Sequence, residues 1–210
     1  MIIGIYGASG FGREVLPLAR RMASPGTRMV FIDDMARGTL ANGEAVFGWD
    51  DFLTLDGEKS VAIAIANSHT RQKLDRRCAE SGIPTPSLID PSVLVGDGNQ
   101  IAEGAILCGY VQVTSNASIG RHFHANIYSY VAHDCVIGDY VTFAPGVHCN
   151  GNVYVHDHAY IGTGAILRQG APDKPLTIGA GAIIGMGAVV TKDVPAGETW
   201  VGNPARPLKR

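Results

Sequence analysis

Ile119-Gly120-Arg121-His122-Phe123-His124-Ala125-Asn126-Ile127-Tyr128-Ser129-Tyr130-Val131-Ala132-His133-Asp134-Cys135-Val136-Ile137-Gly138 sets an apolar residue at every sixth position: Ile119, Ala125, Val131 and Ile137. Followed outward, the same phase holds from Ile89 to Leu167, fourteen positions without a miss. Neither the helical period of about 3.6 nor the alternation of an ordinary strand gives a repeat of six. The segment therefore reads as short, flat, equivalent strands stacked in rungs, a parallel β-helix of hexapeptide repeats with three hexads to a coil. The residue four places after each apolar one is mostly small or β-branched (Ala105, Val111, Ala117, Cys135, Val141), as a narrow coil requires. Asn99 and Phe123 break that rule, and Phe123 is read as an exposed or interface side chain. Gly96, Gly120, Gly138 and Gly162, each just after its aliphatic, are read as sites of sharp turning, where the lack of a Cβ is useful.

The phase slips once. Leu167 to Ile178 is eleven residues, after which Ile178, Ile184 and Val190 resume the count. The intervening Arg168-Gln169-Gly170-Ala171-Pro172-Asp173-Lys174-Pro175 is polar and twice interrupted by proline, so a loop thrown out from a coil corner is expected. Ahead of Ile89 the hexads give way to βαβ patterning. A strand is expected over 2–6, a tight turn at Gly7-Ala8-Ser9-Gly10-Phe11-Gly12, a helix over 13–22, a strand over 29–32 ending in Asp33-Asp34, a strand over 61–66 and a helix over 70–80. The reading is thus a small α/β, Rossmann-like domain, residues 1–85, followed by an all-β parallel helix, residues 86–210. Strand, glycine turn, helix, strand and acidic pair resemble half of a nucleotide-binding Rossmann unit. The GxxGxG spacing and the small size favour a mononucleotide or nucleotide-sugar over NAD.

Bulk properties narrow the field. The 210 residues are 46% apolar and 17% charged, with a formal net charge of −2 and an isoelectric point near 6.4. With no basic stripe, neither nucleic acid nor an anionic membrane is expected as a partner. Cys78, Cys108, Cys135 and Cys149 form no CxxC pair and read as small buried hydrophobes in a reducing compartment. No signal peptide and no run of membrane-spanning length is visible, so a cytoplasmic protein is expected.

Among seven histidines, His133 stands out. Val131 and Cys135 point inward by the count of six, leaving His133 on the outside near a turn, with Asp134 beside it. An imidazole takes a proton near neutral pH, and a carboxylate fixes its tautomer. Neighbours on a flat strand face opposite ways, so Asp134 reaches His133 only if the turn brings the two side chains together.

The continuous hexads, Ala132-His133-Asp134-Cys135-Val136-Ile137-Gly138, and the closing Val190-Thr191-Lys192-Asp193-Val194-Pro195-Ala196-Gly197 with Val201-Gly202-Asn203-Pro204-Ala205-Arg206 resemble the left-handed β-helix acyltransferases. The small domain opening on Gly-Ala-Ser-Gly narrows the resemblance to the branch of sialic-acid O-acetyltransferases and nucleotide-amino-sugar N-acetyltransferases. The left hand of the coil comes from the resemblance alone, as most parallel crossovers are right-handed. The resemblance implies a homotrimer with acetyl-CoA along the groove between adjacent prisms, and a nucleotide-linked sugar held by the N-terminal domain of a neighbouring subunit. It implies His133 as general base and Asp134 as its orienting acid. It places Asn126 at the reacting end of the donor and the backbone around Gly151, Gly162 and Gly185 along the pantetheine; Thr142 joins the cofactor set, and Lys192 and Arg206 are candidates to meet the cofactor's phosphates. Gly7, Ser9, Gly10 and Gly12 would face the phosphates, and Asp33, Asp34 and Asn67 the nucleotide. Phe11 stands where members often carry His, and Ala66 where they often carry Gly, so contacts there are expected to differ.

The reaction expected is transfer of acetyl from acetyl-CoA to the amino group of a nucleotide-linked amino sugar by direct attack on the thioester, with no metal. Three alternatives stand beside it. One is O-acetylation of sialic acid or a related sugar. A second is a zinc-dependent β-helix lyase using His122-x-His124 and His156-x-His158, each pair on one strand face. The third is a non-catalytic nucleotide-sugar-binding trimer. Phe123, Tyr128 and Tyr130 are candidates for an intersubunit seam or the cofactor groove, and Phe143 for the core.

Overall fold

The computed structural model describes residues 1–208; Lys209 and Arg210, the end of the expected second domain, lie outside the described residues. The chain divides into two compact units, Met1–Pro91 and Ser92–Arg210.

The first unit is a five-stranded sheet with helices. Its elements are β1 (Ile2–Tyr6), α1 (Gly10–Met22), β2 (Arg28–Ile32), β3 (Leu40–Ala41), β4 (Glu44–Phe47), α2 (Trp49–Thr54), β5 (Lys59–Ile63) and α3 (Ser68–Glu80). β1 is buried along its whole length, as a parallel strand covered on both faces must be. Strand order is β3-β4-β2-β1-β5, with only the β3–β4 pair antiparallel. The chain runs from β1 to β2 on one side and crosses to β5 on the other, so the carboxyl ends of β1 and β5 form a topological switch point. The glycine turn and the 64–67 segment leave the sheet there. α1 starts at Gly10, earlier than expected, because the glycine turn closes directly into the helix: a Cβ on Gly12 would lie 1.8 Å from the Gly7 carbonyl oxygen. β5 stops at Ile63, earlier than expected, because the carbonyls of Ile65 and Ala66 turn to the buried guanidinium of Arg71, at 2.7 and 3.3 Å.

The second unit is the coil that the hexads require. Gln112 lies beside Tyr130 and Tyr130 beside His148, each eighteen residues on, and the other two faces keep the same step. One face is built from Leu94–Val95, Gln112–Val113, Tyr130–Val131, His148–Cys149, Ile166–Leu167 and Val189–Val190. The next carries Gln100–Ile101, Ser118–Ile119, Val136–Ile137, Val153–Val155 and Leu176–Ile178. The third includes Ile106–Leu107, His124–Ala125, Thr142–Phe143, Tyr160–Ile161, Ile183–Ile184 and Thr199–Val201. Inward residues such as Val131, Phe143, Ile161 and Leu167 are fully buried, and all four cysteines are buried free thiols.

Most corners hold a residue in the left-handed region, and eight of these in the coil are not glycine: Tyr110, Asn116, His122, Tyr128, Asp134, Tyr140, Asn152 and His158. The conformation costs about 1–2 kcal/mol for a side chain with a Cβ. At two corners, stacking offsets it: Tyr110 on Tyr128 with ring centroids 5.2 Å apart, and His122, Tyr140 and His158 in a column at 5.6 and 5.3 Å.

Three expectations are corrected. Gly96, Gly120, Gly138 and Gly162 do not supply the positive φ; they make room for the next coil, and a Cβ on Gly96 would lie 1.9 Å from the Thr114 carbonyl oxygen. Phe123 is fully buried, because its ring meets Phe143 edge-on at 5.0 Å and fills the axis. The histidine pairs do not share a strand: His122 forms a corner before the strand begins at His124, and His156 and His158 lie between the strands Val153–Val155 and Tyr160–Ile161. Asn99, the other exception, bonds at its corner: its Nδ2 donates to Gly96 at 2.9 Å and its Oδ1 accepts from the Ala117 N–H at 2.8 Å.

Candidate active site

At the edge following Tyr130–Val131, Asp134 turns with φ +57°. That left-handed step swings two consecutive side chains to one side, and His133 Nδ1 lies 2.7 Å from Asp134 Oδ2 with both side chains half exposed. A ladder of backbone bonds climbs this edge. The N–H of Asn116 donates to Asp97, Asp134 to Ser115, Asn152 to His133 and Gly170 to Gly151, at 3.1, 3.1, 3.0 and 2.9 Å. Gly151 is thus one rung above His133. A Cβ on Gly151 would lie 2.4 Å from both Cε1 and Nε2 of the imidazole, so the ring rests on the bare glycine. Among the described residues the Gly151 N–H has no hydrogen-bond acceptor. Beside it Asn150 accepts the Tyr130 hydroxyl at 2.8 Å and donates to the Leu167 carbonyl at 2.8 Å, locking the strand end. Lys192, exposed, tops the same edge.

The remaining cofactor candidates lie on a different edge. Asn126, Gly162 and Gly185 follow the strands of the third face, with Thr142 buried on that face itself. Asn126 Nδ2 donates to the Phe143 carbonyl at 2.9 Å. Within one chain, then, the structure gathers His133, Asp134, Gly151 and Lys192 along one edge. It sets Asn126, Gly162 and Gly185 along another, with a whole β-face between them.

In the first unit, Gly7, Ser9, Gly10 and Gly12 form the entry to α1. Ser9 is its N-cap without a capping bond from its hydroxyl, and no acidic residue occupies the first turn, so the positive end of the helix faces outward uncompensated. Asp33 ties this turn to β2, accepting the Ala8 N–H at 3.2 Å and the Met35 N–H at 3.1 Å. Asp34 accepts the Trp49 N–H at 2.8 Å, the Arg77 guanidinium at 3.3 Å and the Tyr6 hydroxyl at 3.4 Å. The Trp49 N–H above all holds the Asp34 carboxyl below the usual range; burial opposes it, and Arg77 and Tyr6 reinforce the lowering. Arg77 also donates to the Tyr6 oxygen at 2.9 Å and lies 5.0 Å over the Trp49 ring. Asn67 caps α3, accepting the Thr70 N–H at 2.9 Å. Sequence reasoning reached Asp34 but missed Tyr6, Trp49 and Arg77, which come from three separate elements.

Among the described residues no cluster of three or more His, Cys, Asp or Glu is arranged to hold a metal, and no helix is long and apolar enough to cross a membrane.

The family models place this arrangement. Residues 2–78 match the PglD N-terminal domain and residues 116–151 the bacterial transferase hexapeptide (six repeats). A GDP-perosamine N-acetyltransferase from Escherichia coli O157:H7 is 49% identical over all of this chain and 97% of its own length. The chain belongs to the left-handed β-helix, hexapeptide-repeat acetyltransferases with a PglD-type N-terminal domain. Solved structures of this family agree over the full length. WeeI from Acinetobacter baumannii AYE superposes with a TM-score of 0.96 at 57% identity, covering 99% of this chain and 100% of its own. The acetyltransferase domain of PglB from Neisseria gonorrhoeae FA1090, in complex with acetyl coenzyme A, gives 0.88 at 31%, covering 99% and 98%.

Proposed function

We propose that the protein transfers the acetyl group of acetyl-CoA to the amino group of a nucleotide-linked amino sugar, GDP-perosamine or a close analogue. The observation that carries the chemistry is the 2.7 Å His133–Asp134 pair resting on Gly151. The substrate class is supported by the relative named for that reaction and the PglB-type domain bound to acetyl coenzyme A.

In this reading Asp134 accepts the Nδ1–H of His133, the tautomer in which Nε2 is the proton acceptor. The sugar amine attacks the thioester carbonyl, and Nε2 takes the proton that the nitrogen sheds. The Gly151 N–H steadies the developing oxyanion. As the carbon–sulfur bond breaks, the imidazolium returns its proton to sulfur, and coenzyme A leaves as a thiol beside the new amide. Lys192 meets the donor's phosphates farther up the edge. In the first unit the open N-terminus of α1, with Gly7, Ser9, Gly10 and Gly12, receives the acceptor's phosphates. Asp33, Asp34 and Asn67 border the nucleotide at the switch point.

Because Asn126, Gly162 and Gly185 stand on another edge, they complete the donor groove only from a second copy, and we assign a homotrimer in which each groove uses two chains. Acetyl-CoA is a cytoplasmic metabolite, and the reaction is placed there.

The test is His133→Asn. Turnover of acetyl-CoA with GDP-perosamine, followed by thiol release, should fall about 10²–10⁴-fold while coenzyme A still binds. Undiminished turnover would refute the base assignment.

A further inference from the structure

The five residues 171–175 are an insertion in an otherwise regular coil. Val153 pairs with Leu176 and Val155 with Ile178, so Gly170 and Leu176 occupy consecutive coil positions with the insertion looped out between them. The ends of the loop nearly touch: a Cβ on Gly170 would lie 2.6 Å from the Leu176 nitrogen and 2.2 Å from the Asn152 oxygen. Ala171 and Lys174 exchange both backbone bonds at 3.0 Å, closing a hairpin whose turn is Pro172-Asp173. Proline at the first central position pre-sets that turn. The excursion is therefore a fixed element.

Its place on the prism gives it a role. The edge reads Asp97, Ser115, His133, Gly151, Gln169, Lys192 from bottom to top. Gln169 is exposed and lies two rungs above the imidazole, roughly 10 Å at about 4.8 Å per rung, and the hairpin springs from the residue next to it. Charge selects the direction of an anionic donor. At the upper rungs, outside the hairpin, stand the cations Arg168 and Lys192, and the one carboxylate beside them, Asp193, is turned to the Thr177 N–H at 3.0 Å. Residues 96–98 and 114–116 below offer Asp97 and no cation. A thioester donor reacting at His133 thus runs upward over Gly151, which presents no side chain. Roughly 10 Å of extended, amide-bearing chain corresponds to about three peptide units, so an amide of the donor's arm arrives at Gln169, with the phosphates still beyond it.

Resting on the acetyl-CoA reading, we infer that Gln169 and the 171–175 hairpin form the wall that grips the amide-bearing arm of coenzyme A. Gln169 both donates and accepts, as an amide partner must, and the rigid hairpin needs little ordering on binding.

Deleting residues 171–175 restores the six-residue count and so tests the wall without shifting the rungs above. Coenzyme A affinity, measured by calorimetry on the whole protein, should fall at least about 10-fold in the deletion and about 5-fold in Gln169→Ala. Affinities for adenosine 3′,5′-bisphosphate, which has the phosphates without the arm, and for GDP should stay within about two-fold. Unchanged coenzyme A affinity in Gln169→Ala overturns the inference, even if the deletion fails to fold. An equal loss for the bisphosphate overturns it too, since the hairpin would then read phosphate. Failure of the unaltered protein to bind coenzyme A would instead bring down the proposed function and this inference with it.

Discussion

At Gly151 a single methyl group separates a usable imidazole from a displaced one. Gly151→Ala would set a Cβ 2.4 Å from the His133 ring, and the side chain, half exposed, is free to swing away. A displacement near 1 Å costs about 10²-fold in a positioned reaction. We expect kcat to fall 10- to 100-fold with the melting temperature nearly unchanged, measured by steady-state thiol release and thermal unfolding. A fall in melting temperature matching the loss of activity would assign the effect to folding. His133 and Asp134 were legible as neighbours in the sequence. Their contact was not, because it depends on the φ of +57° at Asp134, a conformation in which tyrosine and histidine also occur at other corners of this coil. The glycines after each aliphatic were visible too, but their cause lies eighteen or more residues away in the next coil, out of reach of local reading.

Between elements, the contacts around Tyr6 join β1, the segment after β2, α2 and α3. Burial, with smaller opposed effects of Arg77 and Asp34, raises the Tyr6 phenol from its ordinary value of 10.0 to about 12. The unfolded chain loses that proton near pH 10 and the folded one near 12, so between those values the unfolded state binds fewer protons and stability falls as pH rises. The contribution is full below pH 10 and on the order of 2–3 kcal/mol is lost by pH 12. In Tyr6→Phe this component of the alkaline decline in the urea midpoint should vanish; an identical slope in both proteins would show that Tyr6 does not carry it. The strand, glycine turn and helix around Tyr6 were readable from pattern. The β3–β4 hairpin and α2 were not, since a two-residue strand and a six-residue helix carry too little periodicity and are held by burial of Trp49 and Phe52. Phe123 was misread for a related reason: a large residue at a small-residue position looks external until Phe143 is seen to meet it edge-on.

For the whole molecule, the six-residue period is the most legible property, because it recurs along more than half the chain and every rung repeats the evidence. Which edge carries which residue was not legible, since counting by six assigns inside and outside but does not sort corners until strands are grouped into faces. That sorting yields a prediction. His133→Asn should lower activity about 10²–10⁴-fold and Asn126→Arg should lower it strongly, yet mixed assemblies of the proposed homotrimer, made by co-expression, should regain part of it. In a cyclic trimer of either composition, one junction joins an intact His133 edge to an intact Asn126 edge. Activity in purified mixed assemblies, with a trimer mass by sedimentation equilibrium, checks this; inactive mixtures would mean that both edges serve the same chain's substrate.

The near-contact of Gly170 and Leu176 makes that rung a socket. Inserts of other lengths can be plugged into it while every rung above keeps its register, so a scaffold of this kind can change one wall by exchanging a single short graft.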